Sequence, residues 1–380
     1  MTIHSKLPDM GITIFTVMSK LAADHQAINL SQGFPDFNPH PDLIELVSKY
    51  MRQGLNQYAP MQGLPLLRQR IAEKVKTLYG ADVDPDSDIT VTSGATEALF
   101  AAITAVVQPG DEVVILEPAY DSYAPVVHLS QGRPLFVPLR FPQYQVDWDR
   151  VRDTLTDRTR LLVINSPHNP SGQVLGADDI AALQAVTADR DLYILSDEVY
   201  EHIIFDGRRH ESMLRYPDLA RRSFVVSSFG KTYHTTGWKI GYCIAPRDLS
   251  AEFQKMHQYL TFTSSTPVQR AYADFMQHNE HYLSLAGFYQ QKRDTFLRLM
   301  KPSRFNALPC AGTYFQMMDY SAITAEADVE FARRMTTQYG VAAIPPSVFY
   351  NHPKDHKVLR FCFAKRDETL ARAAEILCTI

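Results

Sequence analysis

The stretch Ser227-Ser228-Phe229-Gly230-Lys231-Thr232-Tyr233, continued by Thr236-Gly237-Trp238-Lys239-Ile240-Gly241-Tyr242, decides how this chain is read. The apolar run Phe224 to Ser227 predicts a strand, and Lys231 falls just past its end, where a loop should begin. Loops at strand ends are where α/β proteins hold their reactive groups. Most lysines are solvated surface charges. This one follows a glycine, with hydroxyl residues on both sides and a second cation, Lys239, close by. Gly230-Lys231-Thr232 also looks like the end of a P-loop, but that motif needs a glycine where this chain has Val225. A nucleophilic lysine beside hydroxyls and a cation suits a phosphorylated aldehyde held on an amine. A free lysine has a pKa of about 10.4, so the site must lower it or engage it as an imine.

Outward from that stretch, short apolar runs alternate with helical patterns. Ile89 to Thr92, Glu112 to Leu116, Pro134 to Leu139, Arg160 to Asn165, Asp191 to Ser196 and Ser223 to Ser227 read as strands. Ala95 to Val107 is an Ala-rich helix stopped by Pro109-Gly110. Strands separated by helices favour a largely parallel sheet covered on both faces. Lys239 to Ala245 reads as one more strand, and its short connection from Ser227 predicts an antiparallel neighbour. In the last third, a long helical stretch from Glu280 to Met300 precedes strand-like runs at Tyr314 to Met318 and Val358 to Ala364, which suggests a smaller α+β domain. The first forty or so residues hold no βα unit. The expected division is an N-terminal segment (1–42) packing with the small domain, a large domain (43–280) and a small C-terminal domain (281–380).

Several strand ends carry polar residues with two readings each. Asp197 follows Leu192 to Ser196, so its carboxylate should face the same sheet edge as Lys231; it is either a helix cap or the partner of a protonated ring nitrogen. Tyr200, three residues on, would donate to a phenolate oxygen beside that ring. Asn169, in Asn165-Ser166-Pro167-His168-Asn169-Pro170-Ser171-Gly172, sits in a turn that would also fix its amide against a ligand. Thr92-Ser93-Gly94-Ala95-Thr96-Glu97 joins a strand to a helix, whose free N–H groups form a natural phosphate cradle. Tyr120, after Glu117-Pro118, is either a half-buried aromatic or a ring to stack on a ligand. Arg360 interrupts the apolar run Val358 to Ala364, as a structural ion pair or as a two-pronged clamp on a carboxylate.

Bulk properties exclude other classes. With 45% hydrophobic residues and 21% charged residues the chain is an ordinary globular protein, and its net charge of -4 argues against a nucleic-acid surface or a polybasic membrane anchor. No apolar run approaches the roughly 20 residues of a membrane span. Cys243, Cys310, Cys362 and Cys378 are scattered and form no metal spacing, which predicts reduced thiols, no metal site and a cytoplasmic enzyme. No GxSxG, HExxH or GxGxxG pattern is present.

Asn169-Pro170, Asp197-x-x-Tyr200, Ser228-x-x-Lys231, Lys239 and Arg360 occur in the order and spacing of class I/II aminotransferases, and the resemblance spans nearly the whole chain. Within that class the chain is similar to the branch holding bacterial methionine aminotransferases and the kynurenine aminotransferase/cysteine-conjugate β-lyase enzymes. The segments Asn29 to Phe37, Asn56 to Pro60 and Glu117 to Tyr123 carry that second likeness. The resemblance implies an α/β fold of type I, with a mainly parallel seven-stranded sheet between helices in the large domain. It also implies pyridoxal 5′-phosphate, joined to Lys231 as an imine. Asp197 would pair with the ring nitrogen, Asn169 and Tyr200 would hold the phenolate oxygen, and Tyr120 would stack on the ring. Ala95, Thr96, Ser228 and Lys239 would bind the phosphate, Lys239 standing where some relatives carry arginine. Tyr58 would reach the phosphate of a neighbouring subunit in a homodimer. Arg360, Asn169 and the backbone of Gly33 would take the α-carboxylate, and Phe15, with aromatics such as Tyr123 and Phe262, would line the side-chain pocket. The implied activity is transfer of the amino group of methionine, and of aromatic amino acids, to a 2-oxo acid. A β-lyase acting on cystathionine or cysteine conjugates and a kynurenine aminotransferase are the rival enzymes. A cofactor-binding regulator is the non-enzymatic rival, and it would need a DNA-binding domain before Gly33.

Overall fold

The computed structural model describes residues 4–380. Twelve strands are numbered in chain order. The first, β1, is Ile28–Asn29. Seven strands then form the main sheet: β2 (Ile89–Thr92), β3 (Glu112–Glu117), β4 (Arg133–Pro138), β5 (Thr159–Asn165), β6 (Tyr193–Asp197), β7 (Ser223–Ser228) and β8 (Gly241–Ile244). Their order is β2-β8-β7-β6-β5-β3-β4, parallel throughout except β8, which runs antiparallel to both its neighbours. The β7–β8 connection is too short to cross over the sheet, so β8 must turn back.

These strands read as continuous apolar runs because the sheet is covered on both faces. Successive side chains alternate between faces: Val113, Ile115, Leu161, Val163, Phe224 and Val226 join one apolar cluster. Val114, Leu116, Leu162, Ile164 and Val225 join the other. Burying each such side chain contributes about 1.5–3 kcal/mol, so the sheet is a rigid base for whatever its edge carries.

That edge gathers the polar strand ends. Asn165 lies opposite Asp197, Asp197 opposite Val226, and Ser228 opposite Gly241, which also faces Thr92. The helix Gly94–Val106 starts two residues after Thr92. Gly241 has to be glycine, since a Cβ there would sit 2.8 Å from the Ala95 nitrogen.

The remaining strands form two further sheets. β9 (Asn306–Ala307), β10 (Phe315–Asp319) and β12 (Val358–Cys362) make an antiparallel sheet with Met317 opposite Arg360. β11 (Val341–Ala342) pairs in parallel with β1, which ties the N-terminal segment to the C-terminal third.

Two local expectations need correction. The stretch from Glu280 to Met300 is two helices, Glu280–Leu283 and Leu285–Met300, meeting at Ser284. Lys231 lies in a short helix, Phe229–Thr232, that follows β7 at once, where a loop was expected. All four cysteines are free thiols. Among the described residues no helix is long and apolar enough to cross a membrane, and no group of histidine, cysteine or acidic side chains could hold a metal ion.

Candidate active site

A cavity of about 230 Å³ opens at this edge, lined by Ala95, Tyr120, Asn169, Asp197, Tyr200 and Lys231 among others. At one end is the first turn of Gly94–Val106, whose cap residue Ser93 makes no side-chain bond to it. The free N–H groups of that turn and the helix dipole favour an anion. Lys239, in the left-handed region at φ 54°, brings its ammonium there: Gly94, at φ +73°, has room where a Cβ would meet Lys239 Nζ at 3.4 Å. Ser228 lines the same end.

At the other end Asp197 is buried. Its carboxylate accepts the Tyr123 hydroxyl at 2.6 Å and the Val199 N–H at 3.3 Å. No helix begins at Asp197, so the cap reading is wrong; residues 199–202 form turns. Burial pushes its pKa up to about 6, and the Tyr123 bond only partly opposes this. Among the described residues no cation is within ion-pair distance of this buried acid. Asn165 ties the neighbouring turn to the strand end: its side chain donates to the Asp197 carbonyl at 2.9 Å and accepts the Asn169 N–H at 2.8 Å.

Lys231 stands between the two ends, half-buried. Its amine donates to the Tyr314 hydroxyl at 2.8 Å and to the Gly33 carbonyl at 3.1 Å. It lies 5.6 Å from the centre of the Tyr200 ring. Burial pulls its pKa down to about 8, with Arg360 and Lys239 adding to the fall and Asp197 opposing it. At neutral pH a useful fraction of this amine is therefore unprotonated.

Arg360 is wholly buried. Its guanidinium donates to Asn169 Oδ1 at 2.7 Å and to the Ser31 carbonyl at 3.0 Å, while its Nε has no partner. Phe315 lies under it at 3.9 Å, with Phe15 at 5.3 Å and Phe349 at 5.8 Å. Burial pulls its pKa down to about 10, so it stays charged. No carboxylate among the described residues pairs with it, which removes the structural ion-pair reading. A buried cation with an unused N–H is half of a carboxylate site.

Most residues singled out in the sequence thus converge on one cavity. Tyr58 does not: it is 84% exposed and stacks edge-on against Phe262 at 5.6 Å. Tyr123 is buried with its hydroxyl on Asp197, and Phe262 is exposed beside Tyr58. Sequence reading missed Tyr314, Asn165 and Ser31. The only early signal for Asn165 was its place at a strand end.

The cavity fits pyridoxal 5′-phosphate on the chemistry of its donors. A helix N-terminus with a lysine matches the phosphate, a buried carboxylate without a cation matches the ring nitrogen, and Lys231 lies between them. This fold and this arrangement are those of an aminotransferase, and the chain belongs to the family "Aminotransferase class I and II", whose profile matches residues 25–377. It is 54% identical over 375 residues to the methionine aminotransferase of Escherichia coli K12, covering 98% of this chain and 97% of that one. It superposes on E. coli YbdL, whose structure and reactivity identify a methionine aminotransferase function, with TM-score 0.98, 53% identity and full coverage of both chains. N-succinyldiaminopimelate aminotransferase of Mycobacterium tuberculosis is also similar, with TM-score 0.96, 37% identity and full coverage.

Proposed function

We propose that this chain is a pyridoxal 5′-phosphate-dependent aminotransferase that moves the amino group of methionine, and of aromatic amino acids, to a 2-oxo acid by a ping-pong sequence. One observation carries the reading. Lys231 is held between a buried carboxylate lacking a cation and a helix N-terminus with Lys239 beside it. Bound there, the cofactor supplies a carbonyl to take the amino group and a ring to accept electrons from the substrate Cα.

Every other part falls to the chain itself. Ala95, Thr96, Ser228 and Lys239 bind the phosphate, and Asp197 keeps a proton on the ring nitrogen. Tyr200 and Asn169 hold the phenolate oxygen, and Tyr120 orients the ring from one side. Arg360 and Asn169 bind the substrate α-carboxylate with the Gly33 backbone. Lys231 Nζ would take the proton from the substrate Cα and deliver it to the cofactor C4′. Tyr58, exposed on its own subunit, completes the phosphate site of the partner in a homodimer.

The 54% identity to a methionine aminotransferase supports methionine as donor. So do the rings of Phe15 and Phe349, packed with their centres 5.7 Å apart beside the Arg360 guanidinium. A thioether is flexible and packs well on aromatic edges, whereas an unpaired distal carboxylate costs several kcal/mol to desolvate. Two measurements test the proposal. Borohydride treatment of the yellow holoenzyme should leave the reduced cofactor on Lys231 in a peptide map. In a donor screen with one 2-oxo acid, methionine should exceed aspartate in kcat/KM by at least about tenfold. An adduct on another lysine sinks the cofactor assignment, and aspartate as the better donor sinks the methionine preference.

A further inference from the structure

Tyr314 precedes β10 and is fully buried, and its hydroxyl belongs to a closed triangle of contacts. Lys231 Nζ donates to Tyr314 Oη at 2.8 Å and to Gly33 O at 3.1 Å, and Tyr314 Oη donates to Gly33 O at 2.5 Å. The ring is wedged by Phe315 at 5.0 Å, Tyr200 at 5.1 Å and Tyr289 at 5.6 Å, so the hydroxyl has a fixed position.

A neutral amine has two N–H donors and one lone pair. With both donors spent on Tyr314 Oη and Gly33 O, the lone pair is left to face the cavity. An ammonium in the same place would keep one N–H for the cavity instead. The two acceptors come from segments far apart in the chain, the loop after β1 and the residue before β10, and they meet each other and this amine at one point.

We infer that Tyr314 is a positioning residue for the proton transfer: together with the Gly33 carbonyl it holds the free Lys231 amine so that its lone pair points at the substrate Cα. This rests on Lys231 being the reactive amine. The fall of the Lys231 pKa to about 8 is consistent with it, because the neutral form is then accessible. The neighbouring residue, Phe315, lies under the Arg360 guanidinium, so two consecutive side chains at one strand end set the reactive amine and the carboxylate clamp.

The test uses Tyr314→Phe, which keeps the ring and removes the hydroxyl. Tyr289→Phe is the control: it removes a nearby buried hydroxyl that has no partner. The full chain loaded with pyridoxamine 5′-phosphate leaves the Lys231 amine free. Trace acylation with acetic anhydride across pH, followed by peptide mapping, then reports the titration of that one lysine. A phenol oxygen accepting from an amine favours the charged form, so Tyr314→Phe should lower the midpoint by about one unit. In the working holoenzyme kcat should fall by about tenfold or more while KM for the amino acid holds. Tyr289→Phe should change neither reading. An unmoved Lys231 midpoint overturns the inference. So does a kcat loss matched by an equal rise in KM and a lower unfolding midpoint, because that pattern is merely structural. Borohydride mapping of both proteins separates the two levels: an adduct away from Lys231 in the parent defeats the reading of the site, and an adduct on Lys231 with an unmoved midpoint defeats only the role of Tyr314.

Discussion

Two acids on one short turn behave in opposite ways. Asp197 and Glu201 are both buried, four residues apart. Asp197 faces the cavity, and burial pushes its pKa up to about 6. Glu201 faces away from it. Burial works against its charge too, but the Lys74 ammonium at 2.6 Å more than reverses this and holds the carboxyl well below the usual carboxylate range. Glu201 also accepts Ser227 Oγ at 2.7 Å, Tyr242 at 3.1 Å and the Tyr79 hydroxyl. The acid on the backing of the turn thus has its counter-charge, and the acid on the front has none. Glu201 ties the turn to β7 just before Ser228 and to β8 just after Gly241, the strands whose ends carry Lys231 and Lys239. The lesson is that buried charge is solved with a protein partner where the fold needs rigidity, and left for a ligand where the site needs affinity.

The largest effect should come from breaking the paired end. Glu201→Gln leaves the buried Lys74 ammonium without its counter-charge, which typically costs about 3–5 kcal/mol. The urea midpoint should fall with the slope unchanged. Adding Lys74→Met should recover much of the loss, since the charge then goes with its partner. The linkage has a definite sign. The Glu201 pKa falls on folding, so its contribution is present above the unfolded value and is lost as pH drops through the folded one. An unchanged midpoint in the single variant would show that the pair holds nothing together.

Asp197→Asn should do the reverse to stability and more to catalysis. A rise from 3.8 to about 6 means that Asp197 helps the cofactor-free fold only below its unfolded pKa, and that this contribution disappears as pH rises through about 6. At pH 8 the neutral amide should therefore stabilise the cofactor-free chain by roughly 1–3 kcal/mol. The loaded enzyme should lose about a hundredfold to a thousandfold in the single-turnover rate of Cα proton abstraction, the scale seen when one preorganised electrostatic partner is removed. A rate near the parent's would return Asp197 to a structural role.

The sequence exposed the front of this site better than its backing, for a physical reason. Lys231, Asp197 and Ser228 each end or follow an apolar run, and parallel strands in one sheet bring such ends to one edge whatever the rest of the chain does. Seven strand expectations, from Ile89–Thr92 to Lys239–Ala245, met observed strands for the same reason. Arg360 was visible because a charge inside an apolar strand cannot be ignored. The contacts that tune these groups left no local mark. Tyr314 lies 83 residues from Lys231, and Lys74 lies 127 from Glu201. Tyr123 looked like a pocket aromatic because nothing nearby shows its hydroxyl turning to Asp197, 74 residues on. The helix Phe229–Thr232 has four residues, too few for a period to show.

Tyr123 supplies the smallest and most specific test of the comparison. Its hydroxyl donates to Asp197 at 2.6 Å and so favours the ionised carboxylate, the main protein force opposing burial there. Burial keeps the Tyr123 phenol itself well above its ordinary value, so it stays neutral across the working range. Tyr123→Phe leaves Asp197 the Val199 N–H, with Lys231 still drawing its pKa down and Glu198 still raising it. The Asp197 pKa should rise, and because the proposed role of Asp197 needs the carboxylate ionised, activity should be lost first at low pH. The acid limb of kcat/KM should move up by about one unit, which is about tenfold in rate on that limb. Well above it, at pH 8, the rate should stay near the parent's. Glu201, four residues away and paired with Lys74, has no contact to lose, so the cofactor-free chain at pH 8 should lose only the roughly 1.4 kcal/mol that a one-unit rise at Asp197 carries. A pH profile that superimposes on the parent's would mean the cofactor nitrogen alone sets the charge of Asp197, and the contrast between the two acids would then lie in the ligand and not in the protein around them.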